Sequence, residues 1–340
     1  MGWNQLAGQA TNQTMDWNEL DWRALERLRA NFLAGGTGGG DYWQGESDLA
    51  SYDATFAQRI GWKWDYVFAE LARRGWSPPR GEVLDWGCGS GIAGRAFLDH
   101  FGVGSVTSLR VWDRSAPAMQ FAQRRAREKY PQLTVNTGVV QAPAVLLLSH
   151  VLTELDAKQT ETLAAFAATA QCVLWVEPGT RDASRVLLTL RERLRASLSL
   201  VSPCPHQARC GLLTAANERH WCHHFAVPPP GVFLDGNWSR FADLLGIDLR
   251  DLPLSFLVLD RRPAPSLPAG GVRIIGRPRV YKAHALLLGC EAEGVREQRL
   301  NQRSIPDEFR RLKKGTCDPL QIWRREGDAL VEVSSIPSSR

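Results

Sequence analysis

Val83-Leu84-Asp85-Trp86-Gly87-Cys88-Gly89-Ser90-Gly91 is the stretch of sequence that decides the fold of this chain. Its apolar beginning is typical of a buried strand, and its glycines permit a tight turn and the close approach of a ligand to the backbone before a helix starts. Asp113 ends the next predicted strand, 22 residues beyond Gly91. A carboxylate at that place can accept hydrogen bonds from both hydroxyls of a ribose. The pattern therefore predicts a nucleotide-like ligand at the loop.

Strands and helices alternate on both sides of this loop. We predict a helix over 53–74, strands at 82–85, 106–112, 144–148 and 172–176, and helices at 93–100, 116–130 and 157–169. Such alternation implies an α/β fold with a parallel sheet that is covered on both faces. Later apolar runs are short and separated by Gly, Pro and Arg, which indicates completion of the sheet and a small β-rich C-terminal module. We predict four regions in the 340-residue chain, namely an N-terminal helical region at 1–75, a Rossmann-like core at 76–200, a cysteine-rich metal-binding insertion at 201–235, and the sheet completion with a basic module at 236–340.

Charge and composition limit the classes of function. The chain is 44% hydrophobic, and none of its apolar runs approaches the roughly 20 residues that span a bilayer. The first 22 residues contain no Lys or Arg, unlike a signal or transit peptide. We therefore expect a cytoplasmic bacterial protein with no membrane partner.

The net charge of +5 is unevenly distributed. Residues 261–340 carry 16 Lys and Arg against 9 Asp and Glu, and the rest of the chain is slightly acidic. Clustered cations of this kind can neutralise phosphates and give salt-sensitive RNA binding. An ordinary solvated surface has the same composition, so charge alone leaves both interpretations open.

The cysteines indicate a metal centre. The chain has seven, an odd number without a secretion signal, which argues against a disulfide framework. Cys204 and Cys210 are six residues apart, Cys222 follows after twelve, and Cys290 ends a later strand-like run. Four thiolates could close an iron–sulfur or a zinc site, and the wide spacing favours the cluster. Alternative ligands for one position are His206, His223, His224 and Cys317.

The end of the fourth predicted strand is the usual place for catalytic residues in such a fold. Here it reads Ser149-His150-Val151-Leu152-Thr153-Glu154-Leu155, without an Asn/Asp-Pro-Pro-aromatic signature. His150 or Glu154 could act as a general base, although a packing or capping role fits each equally well. The sequence thus supports ligand binding better than group transfer.

The loop pattern Asp-x-Gly-x-Gly-x-Gly resembles that of class I S-adenosylmethionine-dependent methyltransferases. The resemblance implies that Asp85 holds the amino end of the methyl donor through the loop and that Asp113 holds its ribose. It also implies a donor site formed by Asp85, Gly87, Gly89, Gly91 and Asp113.

Over residues 50 to 325 the chain resembles a single family, the methyltransferase-like small-ribosomal-subunit proteins, known as mitochondrial subunit assembly factors and also found in bacteria. The resemblance lies in the glycine loop, in Trp112-Asp113-Arg114-Ser115, in Val176-Glu177-Pro178-Gly179-Thr180, and above all in Pro203-Cys204-Pro205-His206, Cys210, Trp221-Cys222-His223 and the Pro278-Arg279 segment before Cys290. This chain departs from the family in a longer gap between Cys210 and Cys222 and in Gly211, where a proline is common.

The family resemblance implies a [4Fe-4S] cluster on Cys204, Cys210, Cys222 and Cys290, and association with small-subunit ribosomal RNA during assembly. It also implies an S-adenosylmethionine pocket whose catalytic use is open. We expect a ribosome-associated protein that is a monomer off the ribosome. The alternative is an active S-adenosylmethionine-dependent RNA methyltransferase with a structural zinc or iron–sulfur site.

Overall fold

A computed structural model describes residues 17–34 and 43–336. The chain divides into two compact units. The first contains Met1–Ala69, Pro78–Val173 and Ala226–Leu252, and the second contains Glu70–Ser77, Leu174–Phe225 and Pro253–Arg340. Residues 1–16 and 35–42 of the predicted N-terminal helical region, and 337–340 of the predicted C-terminal region, lie outside the described residues.

Helices and strands alternate through the middle of the chain as the sequence predicts. The α-helices of the described residues are α1 (Trp22–Leu33), α2 (Glu46–Ala54), α3 (Phe56–Arg73), α4 (Ile92–Phe101), α5 (Ala116–Lys129), α6 (Ala157–Ala167), α7 (Arg181–Leu194), α8 (Gly236–Leu245) and α9 (Pro306–Lys314). The strands are β1 (Glu82–Trp86), β2 (Ser108–Trp112), β3 (Val135–Thr137), β4 (Val145–Ser149), β5 (Cys172–Pro178), β6 (Ser199–Ser202), β7 (His224–Phe225), β8 (Pro253–Asp260), β9 (Gly271–Val280), β10 (His284–Glu291), β11 (Gly294–Asn301), β12 (Leu320–Glu326) and β13 (Ala329–Ser335).

The first unit is built on a parallel sheet with the strand order β3-β2-β1-β4. Asp85 lies opposite Val111 of β2 and Leu147 of β4, so the glycine loop leaves the sheet from a central strand. Val145 and the three leucines that follow it in β4 are completely buried. A strand is buried along its whole length only when both faces of its sheet are covered. The predicted Rossmann-like α/β fold is therefore confirmed.

In the second unit β5, β8 and β6 are neighbouring strands, and the short β7 also pairs with β8. β8 runs antiparallel to both β6 and β7. α7 packs against β8, and Thr180 caps its N-terminus by accepting a hydrogen bond from the backbone N–H of Ala183. The connection between β6 and β7 contains Cys204, Cys210 and Cys222 of the predicted insertion at 201–235, whose last ten residues, 226–235, belong to the first unit.

The C-terminal module is a closed five-stranded barrel in the order β10-β11-β13-β12-β9. β11 and β13 pair in parallel, and the other neighbouring pairs are antiparallel. α9 connects β11 to β12, and its Phe309 and Leu312 enter the barrel core beside Trp323. The β-rich module that the sequence predicts is thus confirmed, and closure pairs both edges of every strand.

In the part of the chain that the structure describes, no helix is both long enough and apolar enough to cross a membrane.

Candidate functional site

The glycine loop follows β1 with three positive φ angles, 70° at Gly87, 51° at Gly89 and 81° at Gly91. A Cβ atom at Gly87 would lie 2.7 Å from Val151 Cγ1, and one at Gly91 would lie 2.8 Å from Ala122 Cβ. At Gly89 no described atom comes within 4 Å of such a Cβ. Two of the glycines therefore serve close packing, and the middle one borders the open side of the loop.

Two carboxylates surround this loop. Asp113 Oδ2 accepts a hydrogen bond from the backbone N–H of Gly89 at 2.9 Å, and its Oδ1 accepts one from Ser115 N–H at 2.9 Å. Asp85 is fully buried and its Oδ2 accepts from Gly94 N–H at 2.9 Å, whereas Oδ1 meets no hydrogen-bond donor among the described residues. Burial raises the pKa of Asp85 to about 7, and Asp113 adds to this rise.

Helix α2 also reaches the loop, which the sequence did not predict. Asp53 pairs with Arg95, and the Arg95 guanidinium donates a second hydrogen bond to the Ser90 carbonyl at 2.6 Å. Burial raises the pKa of the Tyr52 hydroxyl, and the charges of Glu154, Asp53 and Asp113 raise it further. α2 therefore fixes the loop through charges that are far from it in sequence.

A cavity of about 260 Å³ opens between α2 and the start of α5. It is lined by Trp43, Leu49, Phe121, Arg124 and their neighbours. Leu49 packs with Ala118 and Phe121, which gives one wall of the cavity an apolar surface.

The residues after β4 form a polar pair with α3. His150 has a φ of 58°, an uncommon value for a residue with a side chain, and its Nε2 lies 3.4 Å from Lys63 Nζ. Trp64 Nε1 donates to Ser149 Oγ at 3.1 Å. Burial lowers the pKa of His150 well below its ordinary value, and Lys63 lowers it further. The imidazole is therefore neutral at pH 7 and is a weaker base than an exposed histidine.

Glu154, the other candidate base, lies elsewhere on this surface. Its carboxylate is 3.5 Å from Arg114, which follows Asp113 at the end of β2. An ion-paired carboxylate is a weaker base than a free one. The surroundings of His150 and of Glu154 therefore both weaken the residue as a general base.

The four predicted metal-binding cysteines all belong to the second unit and approach one another there. Cys210 and Cys290 are buried in one apolar cluster, and Cys222 packs against the same cluster. Burial raises the pKa values of the Cys210, Cys222 and Cys290 thiols, and Cys204 raises each of them further. Cys204 and Cys222 line one small cavity, which brings the fourth cysteine close to the other three.

Buried charges anchor the Cys204 segment. The Arg74 guanidinium donates to the carbonyls of Val201, Pro203 and Cys204 at 2.6, 2.8 and 3.0 Å, and its Nε donates to Glu70 at 2.8 Å. Glu70 also accepts from Arg273 at 2.6 Å. Burial would raise the pKa of Glu70, but the arginines around it hold the pKa well below its ordinary value.

Arg191 brings a positive charge to the thiols themselves. Its Nε lies 3.2 Å from Cys204 Sγ, and another of its nitrogens donates to the Ala208 carbonyl at 2.8 Å. The neighbouring Glu192 accepts from Cys210 N–H at 3.1 Å. Burial would lower the pKa of Arg191, but Cys204 and Cys210 raise it. α7 thus supplies both a counter-charge and a backbone anchor for two of the cysteines.

The alternative ligands are placed unequally. His206 Nε2 lies 3.5 Å from Cys290 Sγ, and His224 Nε2 lies 3.6 Å from Cys222 Sγ. His223 instead stacks on Trp221, with ring centroids 4.7 Å apart. Cys317 packs against the core of the barrel, apart from the other thiols. Two histidines therefore adjoin the cysteine set, and the other two candidates do not.

The side chains present suit a thiolate-bound group in their chemistry. Cys204, Cys222 and Arg191 line a cavity of about 20 Å³, roughly the space of one water. In the described part of the chain, no three His, Cys, Asp or Glu side chains stand in position to hold a metal ion. Tetrahedral zinc would need its thiolates within roughly 3.8 Å of one another, given Zn–S bonds of about 2.3 Å. A cubane binds each thiolate to a different iron atom, so it needs a more open set of thiolates and more room than this cavity provides.

One family model matches residues 67–316, and its description is "Mitochondrial small ribosomal subunit Rsm22". The match covers most of both compact units, including the glycine loop and all four cysteines. No curated protein matches this chain.

The chain is also similar to solved structures of methyltransferases. Magnesium protoporphyrin IX methyltransferase from Synechocystis, solved with bound SAM, is 12% identical with a TM-score of 0.38, covering 72% of this chain and 98% of the other. An O-methyltransferase family protein from Burkholderia thailandensis is 13% identical with a TM-score of 0.39, covering 55% and 67%. An S-adenosylmethionine-dependent methyltransferase from Clostridium acetobutylicum is 14% identical with a TM-score of 0.29, covering 40% and 58%.

Proposed function

The chain belongs to the Rsm22 family of mitochondrial small ribosomal subunit proteins, and from this premise we propose that it binds the small ribosomal subunit and contacts its ribosomal RNA during assembly. The family match over residues 67–316 carries the proposal. The cation excess of residues 261–340 supports it, because phosphate neutralisation supplies much of the affinity of proteins for RNA.

Co-sedimentation of the purified chain with isolated small and large subunits tests this function. We expect binding to small subunits at low salt and its loss as salt rises, since counterion release drives the association. Large subunits are the matched control. Failure to bind small subunits at low salt would overturn the proposal.

The family description is mitochondrial, whereas our prediction for this chain is the bacterial cytoplasm, with the protein monomeric off the ribosome. Sedimentation of the purified chain alone tests the oligomeric state, because a monomer should sediment as one 37.8 kDa particle.

The glycine loop is the proposed site for S-adenosylmethionine. Gly89 presents its open side there, Asp113 stands beside it, and Asp85 is buried beneath the loop with a carboxylate oxygen that no donor among the described residues reaches. Asp113 would accept hydrogen bonds from the ribose, and Asp85 would orient the loop through Gly94 N–H. Calorimetry with S-adenosylmethionine tests the site. Asp113→Asn should weaken binding about tenfold or more, and Asp307→Asn, an exposed change of the same kind, should not.

The four cysteines are the proposed ligands of a [4Fe-4S] cluster. The apolar cluster shared by Cys210, Cys222 and Cys290, the Arg191 counter-charge beside Cys204, and the anchoring of the Cys204 segment by Arg74 support this assignment. A bound cluster would crosslink the β6–β7 connection to β10 and so stabilise the second unit.

Elemental analysis of protein purified without oxygen tests the cluster. We expect about four irons and four sulfides per chain, lost in Cys204→Ser and retained in Cys317→Ser, whose thiol packs in the barrel core. Stoichiometric zinc in place of iron and sulfide would instead support the alternative, a structural zinc site. If the native chain and its variants all contained no metal, the proposed metal centre would be wrong.

Methyl transfer to RNA is the second candidate function, and the position of His150 directly after β4, the usual place for catalytic residues in such a fold, favours it. Bound S-adenosylmethionine would supply the methyl group. His150 would take a proton from the nucleophile at Nε2 or through one water. Incubation of small-subunit RNA with radioactive methyl donor tests this function. Methyl transfer is supported if the native chain labels the RNA and His150→Gln does not. If the native chain leaves the RNA unlabelled, the protein binds RNA without methylating it.

A further inference from the structure

The connectivity of the barrel points to a ligand class. β9, β10 and β11 are consecutive neighbours, β13 pairs in parallel with β11, and β12 closes the barrel against β9. α9 lies between the third and fourth strands and plugs the core. This is the topology of the oligonucleotide- and oligosaccharide-binding fold, whose ligands cross the outer face of its second and third strands. The equivalent strands here are β10 and β11.

One end of that face is covered. Ala285 and Leu287 point into the barrel core, so His284, Leu286 and Leu288 point outward, because strand side chains alternate. The outward Leu288 packs into the cluster that contains the cysteine insertion. His284 and Leu286 lie at the other end of the strand and keep partial exposure.

The open end carries a row of cations. Leu286 pairs with Arg279 of β9 on one side and with Arg299 of β11 on the other. Both arginines are exposed. An acid of this face, Glu297, forms an ion pair with Arg279, and Arg299 donates to Asn301 Oδ1 at 2.9 Å. The backbones of the two arginines lie about one strand spacing to either side of Leu286, and the Arg279 guanidinium reaches across β10 to Glu297.

An aromatic pair stands beside this row. The Tyr281 ring stacks on His284, with centroids 4.9 Å apart and 20° between the planes. Tyr281 N–H donates to the His284 carbonyl at 2.8 Å, which holds the turn between β9 and β10 in place. Tyr281 is 49% exposed, so its outer ring face can stack on a base. Lys282, the next residue, is also exposed.

We propose that the outer face formed by Tyr281, His284, Leu286, Arg279 and Arg299, here called the barrel face, binds a single-stranded segment of RNA. The aromatic pair stacks on a base, and the arginines contact the flanking phosphates. The choice of RNA among polyanions rests on the proposed function. Cations beside the stacking surface favour a nucleic acid over a neutral oligosaccharide, the other ligand class of this fold.

Fluorescence anisotropy of the full chain with a labelled, unstructured RNA of about 12 nucleotides tests the barrel face. Tyr281→Ala should weaken binding roughly five- to hundredfold, as loss of one stacked base does. Tyr281→Phe keeps the ring and should bind like the native chain. Arg299→Ala should weaken binding and reduce its salt dependence, whereas Arg324→Ala, an exposed change of equal charge on β12, should do neither.

Equal affinity of Tyr281→Ala and the native chain would overturn the barrel face, as would preference for an RNA duplex or for a neutral oligosaccharide. The proposed function fails separately. If the oligonucleotide results are as expected but the chain does not sediment with small subunits, the face stands and the ribosomal function falls. If the chain sediments with small subunits but Tyr281→Ala binds the oligonucleotide as tightly as the native chain does, the ribosomal function stands and the barrel face falls.

Discussion

Buried charges at single residues hold both candidate sites in place. Asp53 and Arg95 fix the glycine loop, and Glu70 with Arg74 fixes the Cys204 segment. Each of these pairs is almost completely removed from water. A buried ion pair costs much more to break than an exposed one, because the remaining charge stays desolvated.

Glu70→Gln should therefore destabilise the second unit by about 3 to 5 kcal/mol, since it leaves Arg74 and Arg273 without their shared carboxylate. Urea unfolding, followed by tryptophan fluorescence, measures the loss. The matched control is Glu326→Gln, whose carboxylate is largely exposed and should matter little. Equal midpoints for the two variants would show that the Glu70 network is dispensable.

Asp85 should make stability depend on pH. Its pKa is about 7 in the folded chain and near 4 when unfolded, so the folded state binds the proton more tightly. The stability from this proton is complete below about pH 4 and is lost as pH rises toward 7. Asp85→Asn removes this dependence, and the variant should gain stability relative to the native chain between pH 5 and pH 8. Unfolding of both chains at pH 5 and at pH 8 measures the difference in their stability. A difference that does not change with pH would refute the raised pKa of Asp85.

At the level of helices and strands, regular patterns predicted the core well. Strands β1, β4 and β5 and helices α4 to α6 lie within a few residues of their predicted positions, because continuous apolar runs and glycine turns mark them. The helix predicted over 53–74 instead begins at Phe56, because α2 ends at Ala54 and Thr55 separates the two helices.

The barrel was harder to predict from sequence. β11 and β12 carry charged residues on their outer faces, and Arg296, Arg299, Arg324 and Arg325 make their segments look like loops. Only pairing with distant strands makes these segments regular. The residues of the candidate sites likewise divide into those that the sequence pattern predicts and those whose role appears only in the folded chain. Neighbouring glycines and cysteines are visible in the sequence, whereas Glu70, Arg74 and Arg191 resemble ordinary helix charges until folding buries them.

Gly289 is a position where the barrel tolerates no side chain. A Cβ there would lie 2.4 Å from the Trp323 ring. Gly289→Ala should destabilise the chain by about 1 to 3 kcal/mol, because the core must shift to admit the methyl group. At Gly271, on the neighbouring β9, the nearest atom would be 3.4 Å away. Gly271→Ala is thus the matched control in thermal unfolding, and similar shifts for both variants would contradict the packing argument.

For the whole molecule, the distribution of charge and of sites suggests that different parts of the chain bind the methyl donor and RNA. The proposed donor site lies in the first compact unit, and the cysteines and the barrel lie in the second. The C-terminal residues 261–340 hold the cation excess. Removal of positive charge from the barrel face should therefore reduce the affinity for small subunits and its salt dependence, while S-adenosylmethionine binding should stay unchanged. Arg279→Ala with Arg299→Ala, assayed by co-sedimentation and calorimetry, tests this separation.

The most direct test of the central claim is the position of the tagged chain in a sucrose gradient of lysate from its own cells, prepared at low salt. We expect the protein to peak with small ribosomal subunits and to move to the top of the gradient when salt is raised. A protein that stays at the top at low salt, or that follows the large subunit, would contradict it.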